Sequence, residues 1–268
     1  MPAYLALSVP LPPLAEQERI VEILEEQFSR LDSALASVKA VREKAKAFRR
    51  SLLHSAFSGE LTGGTEGWRE VALGEVAKWG RGGTPKGKNP KFYGGEIPWA
   101  IIGDLNDGVI NETAEKITQE GLDNSSAKWV PENSVLIAMY GSIGKLGINA
   151  ISLTTNQAIA FAIPNTEKTF SKYLYFALMN ERPRLIREGK GATQQNISQT
   201  ILKPWQIPLP PLATQEHIVS LLEEQFSRLD KALEVANQLE ARIASERRSL
   251  LHSAFTGALT ATWRQNND

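Results

Sequence analysis

The chain has no cysteine, which excludes a disulfide framework and any thiolate metal site. Its three histidines leave little room for an imidazole cluster. No apolar run approaches the roughly 20 residues needed to cross a bilayer. The N-terminus lacks a basic leader, and Pro10, Pro12 and Pro13 interrupt its apolar stretch, so no secretory signal is expected and the cytoplasm is the expected address. An excess of one charge is also missing, because 30 lysines and arginines balance 30 aspartates and glutamates. Net charge therefore names no nucleic-acid partner, although a single basic face is enough for an electrostatic footprint.

What the chain does have is a long repeat. Pro-Leu-Pro-Pro-Leu-Ala at 10–15 recurs at 208–213, Leu24–Asp32 recurs at Leu222–Asp230, and Arg49–Phe57 recurs at Arg247–Phe255, always 198 residues on. From Val9 to Thr62, 33 of 54 positions are identical in the second copy. A solenoid would stack several short adjacent units. Two copies flanking a long unlike segment point instead to a matched pair of elements.

Each copy reads as one long helix. Leu24, Leu31, Val38, Ala45 and Leu52 recur every seven residues, with Phe28 and Leu35 completing the stripe. The second copy offers Leu222, Leu229, Ala236, Ile243 and Leu250, with Phe226 and Leu233. Such a stripe held over about four heptads is a coiled-coil seam. The Pro-Pro-Leu segments mark starts, and Gly59 and Gly257 mark stops. Each helix would be roughly 65 Å long at 1.5 Å per residue, and neither could bury its stripe alone. The ends of a compact domain usually lie close together, so helices flanking one should run antiparallel, as a spacer with the domain at one end. A surface helix on a globular core is the blander reading, and length and duplication argue against it.

Residues 63–206 change character, with many glycines and short β-rich runs. Strands are expected at Val71–Leu73, Ile97–Ile102, Ser134–Met139, Ala158–Ile163 and Trp205–Pro208, and a helix near Ser171–Asn180. From Val76 to Gly95 the chain carries Lys78, Arg81, Lys86, Lys88 and Lys91 and no acid, interleaved with six glycines and with Trp79, Phe92 and Tyr93. A flexible cationic loop with exposed backbone amides suits phosphate contact, the main source of non-specific DNA affinity; a plain solvated loop is the alternative. A second loop, Gly189-Lys190-Gly191-Ala192-Thr193-Gln194-Gln195-Asn196, lines up side chains that donate and accept, as base-edge reading requires. The candidate DNA-contacting residues are therefore Lys78, Arg81, Thr84, Lys86, Lys88, Lys91, Tyr140, Ser142, Lys145, Lys190, Thr193, Gln194, Gln195 and Asn196. The candidate helix-packing residues are Leu24, Phe28, Leu31, Leu35, Leu222, Phe226, Leu229 and Leu233.

Catalytic readings fail on inspection. Gly141-Ser-Ile-Gly144-Lys145 resembles part of a P-loop, but Met139 stands where its first glycine belongs and Leu146 where its Ser/Thr belongs. Asn89-Pro90-Lys91-Phe92 misses an amino-methyltransferase motif by one residue, and no glycine-rich cofactor strand precedes it. His54 and His252 occupy matching helix positions, where packing is the simpler role. No carboxylate pair stands at an informative spacing.

The ordered series Trp68, Leu73-Gly74-Glu75, Gly82-Gly83-Thr84-Pro85, Ile97-Pro98-Trp99, Gly103-Asp104-Leu105, Gly141-Ser142-Ile143-Gly144-Lys145, Asn156-Gln157-Ala158 and Gln195-Asn196-Ile197-Ser198 resembles the target-recognition domain of type I restriction–modification specificity subunits. The resemblance continues through the Pro-Leu-Pro-Pro-Leu helix starts and covers nearly the whole chain. It implies an α+β fold: one mixed α/β target-recognition domain at 63–206, between helical conserved regions at 1–62 and 207–268 that pack as an antiparallel coiled coil. It implies a non-catalytic subunit that reads one half of a bipartite site in double-stranded DNA. Methylation subunits using S-adenosylmethionine, and restriction subunits using ATP and Mg, would be its partners, with no cofactor or metal on this chain. The usual family member carries two recognition domains and this chain has one, so either the chain pairs with itself as a homodimer or the second domain comes from another piece. A self-contained DNA methyltransferase and a coiled-coil adaptor without DNA contact are the alternatives.

Overall fold

A computed structural model describes residues 10–87, 89–189 and 196–267. In chain order its elements are α1 (Leu14–Phe57), β1 (Arg69–Ala72), α2 (Leu73–Val76), β2 (Ala77–Arg81), β3 (Tyr93–Ala100), β4 (Gly108–Ile110), β5 (Glu115–Ile117) and α3 (Gln119–Asp123). Then come β6 (Val135–Ala138), β7 (Leu146–Asn149), β8 (Thr154–Thr155), β9 (Ile159–Pro164), α4 (Ser171–Glu188), α5 (Gln199–Leu202), β10 (Gln206–Leu209), α6 (Leu212–Phe255) and α7 (Ala261–Asn267). The chain divides into two compact units, Met1–Arg49 with Gln225–Asp268, and Arg50–Glu224.

The first unit is built from the matched helices. Both α1 and α6 have 44 residues, with no glycine or proline inside to interrupt them. They stop before Gly59 and Gly257, whose left-handed φ of 85° and 74° suits a helix C-terminus and costs a glycine little. Arg42 bonds Asn237 and Glu240, Arg49 pairs with Asp230, and Asp32 with Arg247. Partner numbers fall along α6 as they rise along α1, so the helices run antiparallel. Val38, Ala45, Ala236 and Ile243 are buried along the seam, and Phe226 is buried beneath the Arg49 guanidinium. Leu24, Phe28, Leu31, Leu35, Leu229 and Leu233 are only half-buried, because two helices cannot enclose a stripe on every side.

The second unit holds the sheets. β1 pairs antiparallel with β10, Arg69 opposite Leu209 through Ala72 opposite Gln206, which brings the two ends of the intervening domain side by side. A five-stranded sheet has the order β2-β9-β6-β7-β4, and a three-stranded one the order β5-β3-β8. Ala100, Leu105, Leu136, Ala138, Leu153, Ile159 and Phe161 belong to one buried cluster. α4 buries Tyr173, Leu174, Phe176, Ala177 and Leu178, and the Tyr173 hydroxyl donates to the Pro208 carbonyl at 2.7 Å. Burial, helped by the charge of Glu70, pushes that phenol well above its ordinary range. Leu222, at the start of α6, is fully buried in this unit.

The expected strands lie where the apolar runs put them, within a few residues. The sequence reading missed β2, β4, β5, β7 and β8, and ended α4 eight residues early. Those strands are short or glycine-bearing, and α4 continues through Pro183, a residue that ordinarily interrupts a helix.

Candidate DNA interface

The loop between β6 and β7 is shaped by two glycines in left-handed backbone, Gly141 at φ 75° and Gly144 at φ 78°. It closes through Gly144 N–H to the Ala138 carbonyl at 2.9 Å. Asn196 and Ile197 lie beside it, because Ile197 N–H donates to the Met139 carbonyl at 2.8 Å. Two segments more than fifty residues apart thus present Tyr140 and Asn196 together. Arg81, at the end of β2, joins them in a cleft of about 410 Å³ whose remaining wall is Met139, Ile197, Ser198, Gln199 and Thr200.

Hydrogen bonds fix the neighbouring rim. The Tyr140 hydroxyl donates to the Gln157 carbonyl at 2.6 Å, and the Thr84 hydroxyl donates to Gln157 Oε1. Gln157 is exposed, so its carboxamide is presented at the surface from a tethered position. Burial raises the Tyr140 phenol against the opposing pull of the Arg81 charge.

A two-pronged ion pair stands behind the loop. Arg182 on α4 donates to both carboxylate oxygens of Asp107, at 2.9 and 2.6 Å. Asp107 also accepts from Leu146 N–H at 3.0 Å, and its own N–H donates to the Leu146 carbonyl at 3.0 Å. The residue sits at φ 57°, a conformation that costs a non-glycine residue of order 1 kcal/mol, and these bonds hold it there. The Arg182 side chain lies against Gly144, where an added Cβ would come within 2.8 Å of its Cγ.

One expectation is overturned. The run from Gly80 to Pro85 is not a flexible loop with exposed amides. Gly82 and Gly83 are buried, and their N–H groups bond the carbonyls of Ile159 and Thr155 at 3.1 and 2.9 Å. A Cβ on Gly82 would stand 2.0 Å from the Thr155 carbonyl oxygen; these glycines serve close packing. Trp79 and Phe92 are likewise core residues, Trp79 donating to the Leu73 carbonyl. Strand alternation sends Lys78 to the sheet face opposite Arg81, so those two cations do not share a surface. Lys86 and Lys91 are exposed, as are Ser142 and Asn196, while Thr84 and Lys145 are half-buried. Lys88, Lys190, Thr193, Gln194 and Gln195 lie outside the described residues.

The sequence reading left Gln157, Ser198, Gln199 and Thr200 out of the site. Gln157 and Ser198 stood within the motifs that carried the family resemblance, so the signal was there without a role attached. Among the described residues no group of three or more histidines, aspartates or glutamates could hold a metal ion. None of their helices is long and apolar enough to cross a membrane.

Residues 65–244 match the family model for the type I restriction modification DNA specificity domain. The chain belongs to that family. It is 28% identical over 292 aligned residues to the type I restriction enzyme EcoBI specificity subunit of Escherichia coli, covering 97% of this chain and 60% of that one. It is 31% identical to the EcoR124I/EcoR124II specificity subunit of the same organism, over 79% of this chain and 52% of that one. In fold it resembles a chain of a type I R-M system, with a TM-score of 0.76 at 23% identity over 92% of this chain and 60% of that chain. The HsdS subunit from Thermoanaerobacter tengcongensis superposes with a TM-score of 0.57 at 22% identity, over 93% and 60% of the two chains. The chain thus spans about 60% of the length of relatives such as EcoBI.

Proposed function

We propose that the chain reads one half of a bipartite DNA site and scaffolds the subunits that act on it. The observation that carries this reading is the cleft where Arg81, Tyr140 and Asn196 meet beside the Thr84–Gln157 pair. It sets a cation suited to phosphate next to carboxamides and hydroxyls suited to base edges, within the segment matched by the family model. In this reading the chain performs no chemistry and works in the cytoplasm. S-adenosylmethionine is bound by a methylation subunit, ATP and Mg by a restriction subunit, and the long helices pair as an antiparallel coiled coil to which those partners attach.

The repeat supports a second recognition domain in the working assembly. Within the second unit Leu53, Phe57, Leu209 and Val219 are buried, at 6%, 7%, 4% and 5% exposure. Their counterparts in the first unit, Leu251, Phe255, Leu11 and Val21, are 41%, 60%, 83% and 52% exposed. Sequence covered in one copy is bare in the other, and a second copy of this chain is the partner we propose for covering it and bringing a second reader.

The test is selection from random duplex DNA by the full chain with its methylation subunits. Enrichment of a defined half-site supports the reading; recovery of DNA without sequence preference would overturn it.

A further inference from the structure

The two copies of the repeat are alike at their ends and unlike in the middle. Leu24–Asp32 and Arg49–Phe57 are identical to their counterparts, whereas every position from 36 to 48 differs from its counterpart between 234 and 246. Contacts between α1 and α6 follow the same division. Arg49 pairs with Asp230, and its counterpart Arg247 pairs with Asp32, the counterpart of Asp230. Arg49 also lies over the Phe226 ring at 4.9 Å, and Arg247 over Phe28 at 5.3 Å. These contacts are mates under an internal two-fold rotation. A couple of two first-copy helices, or of two second-copy helices, has the residues to make all of them. They hold helices together without specifying which helices.

The choice has to be made in the unlike segment. At its midpoint Arg42 ion-pairs with Glu240, its own counterpart 198 residues on, which places this pair at the two-fold axis. Arg42 also donates to Asn237 Oδ1 at 2.6 Å, and the counterpart of Asn237 is Lys39. A couple of two α1 helices would bring two Arg42 and two Lys39 side chains to the axis, and a couple of two α6 helices would bring two Glu240 carboxylates. Opposite charges at such a contact stabilise and like charges destabilise by a similar amount.

We infer that Arg42 and Glu240 are a pairing selector: they admit α1 with α6 and reject α1 with α1 or α6 with α6. A second copy of this chain that joins the helix layer then enters as an α1–α6 couple. The selector is conditional in strength, because the two side chains are 32% and 38% exposed and solvent screens them. A second asymmetric contact acts in the same sense near the helix ends. Buried Glu16 accepts from Thr260 and Arg264, whereas an α1–α1 couple would offer it Glu66, the counterpart of Arg264.

Single substitutions reproduce the rejected couples inside the full-length chain. Glu240→Arg puts two arginines at the axis, and Arg42→Glu puts two glutamates there. Each should raise the unfolded-to-folded ratio about fivefold in urea titrations at low salt. The double exchange Arg42→Glu with Glu240→Arg should return the ratio to within about twofold of the parent, a non-additivity expected only of residues in contact. High salt should shrink the single-variant losses by screening. A double variant whose loss equals the combined single losses overturns the selector, as do single losses that salt leaves unchanged.

Discussion

Arg182 grips Asp107 through both of its carboxylate oxygens, and the two residues come from different parts of the recognition unit. The pair joins α4 to the segment before β4, while Asp107 is bonded to Leu146 at the start of β7. Its position fixes the exit of the loop that presents Tyr140 and Ser142. Substituting Arg182 by alanine should cost about 1–2 kcal/mol of stability, a part-exposed charge pair being discounted for solvent. It should also broaden the sequences selected from random DNA while leaving the salt dependence of binding unchanged. Unaltered selectivity would reduce the pair to a stabilising contact.

Replacing Lys86, Lys88 and Lys91 together by alanine should flatten the dependence of log K on log salt. The change should be about 0.9 for each phosphate contact removed, and equal for all DNA sequences. Lys78→Ala should leave the slope unchanged, because β2 turns Lys78 away from the Arg81 face. Equal slopes for the triple variant and the parent would remove the cationic run from the interface.

Gln157 is tethered by Thr84 and Tyr140 and exposed at the rim of the cleft. A carboxamide bonded to an adenine edge contributes about 1–3 kcal/mol of discrimination. Gln157→Ala should relax the consensus at one base position and barely change binding to random DNA. Gln194→Ala and Asn196→Ala should act alike at other positions. A uniform loss of affinity for all sequences would make these residues loop supports.

The fold was legible in the sequence wherever one signal dominated. The heptad spacing of Leu24, Leu31, Val38 and Ala45 marks a helix that no local propensity contradicts, and the repeat supplies its partner. Runs such as Ser134–Met139 are apolar enough to announce a buried strand. β7 is shorter and carries Gly147, so nothing local separates it from a turn. The site was legible as composition and illegible as geometry. Gly82 and Gly83 read as flexibility, because a sequence does not show that Thr155 and Ser126 leave no room for a Cβ. Arg81 and Lys78 read as one patch because charge is visible along a chain and strand facing is not. Gln157 was passed over because its role comes from two hydrogen bonds to residues 17 and 73 positions away.

Seam burial ranks the helix substitutions. Ile243 is 4% exposed, so Ile243→Ala should cost about 2–5 kcal/mol. Leu31 is half-buried and already retains water contact, so Leu31→Ala should cost roughly half as much, given that loss scales with the apolar area buried. Denaturant titration of both variants checks the order. A larger loss at Leu31 would mean that something besides α6 covers it.

The most direct measurement is sequencing of methylated sites in cells that carry this chain as the sole specificity subunit together with its methylation partner. Two copies of one reader, related by a two-fold axis, must read inverted copies of one half-site. The expected result is therefore an interrupted palindrome with a fixed gap, absent when the chain is deleted and altered by Gln157→Ala. An asymmetric bipartite motif would contradict the two-copy assembly, and methylation indifferent to the chain would contradict DNA reading itself.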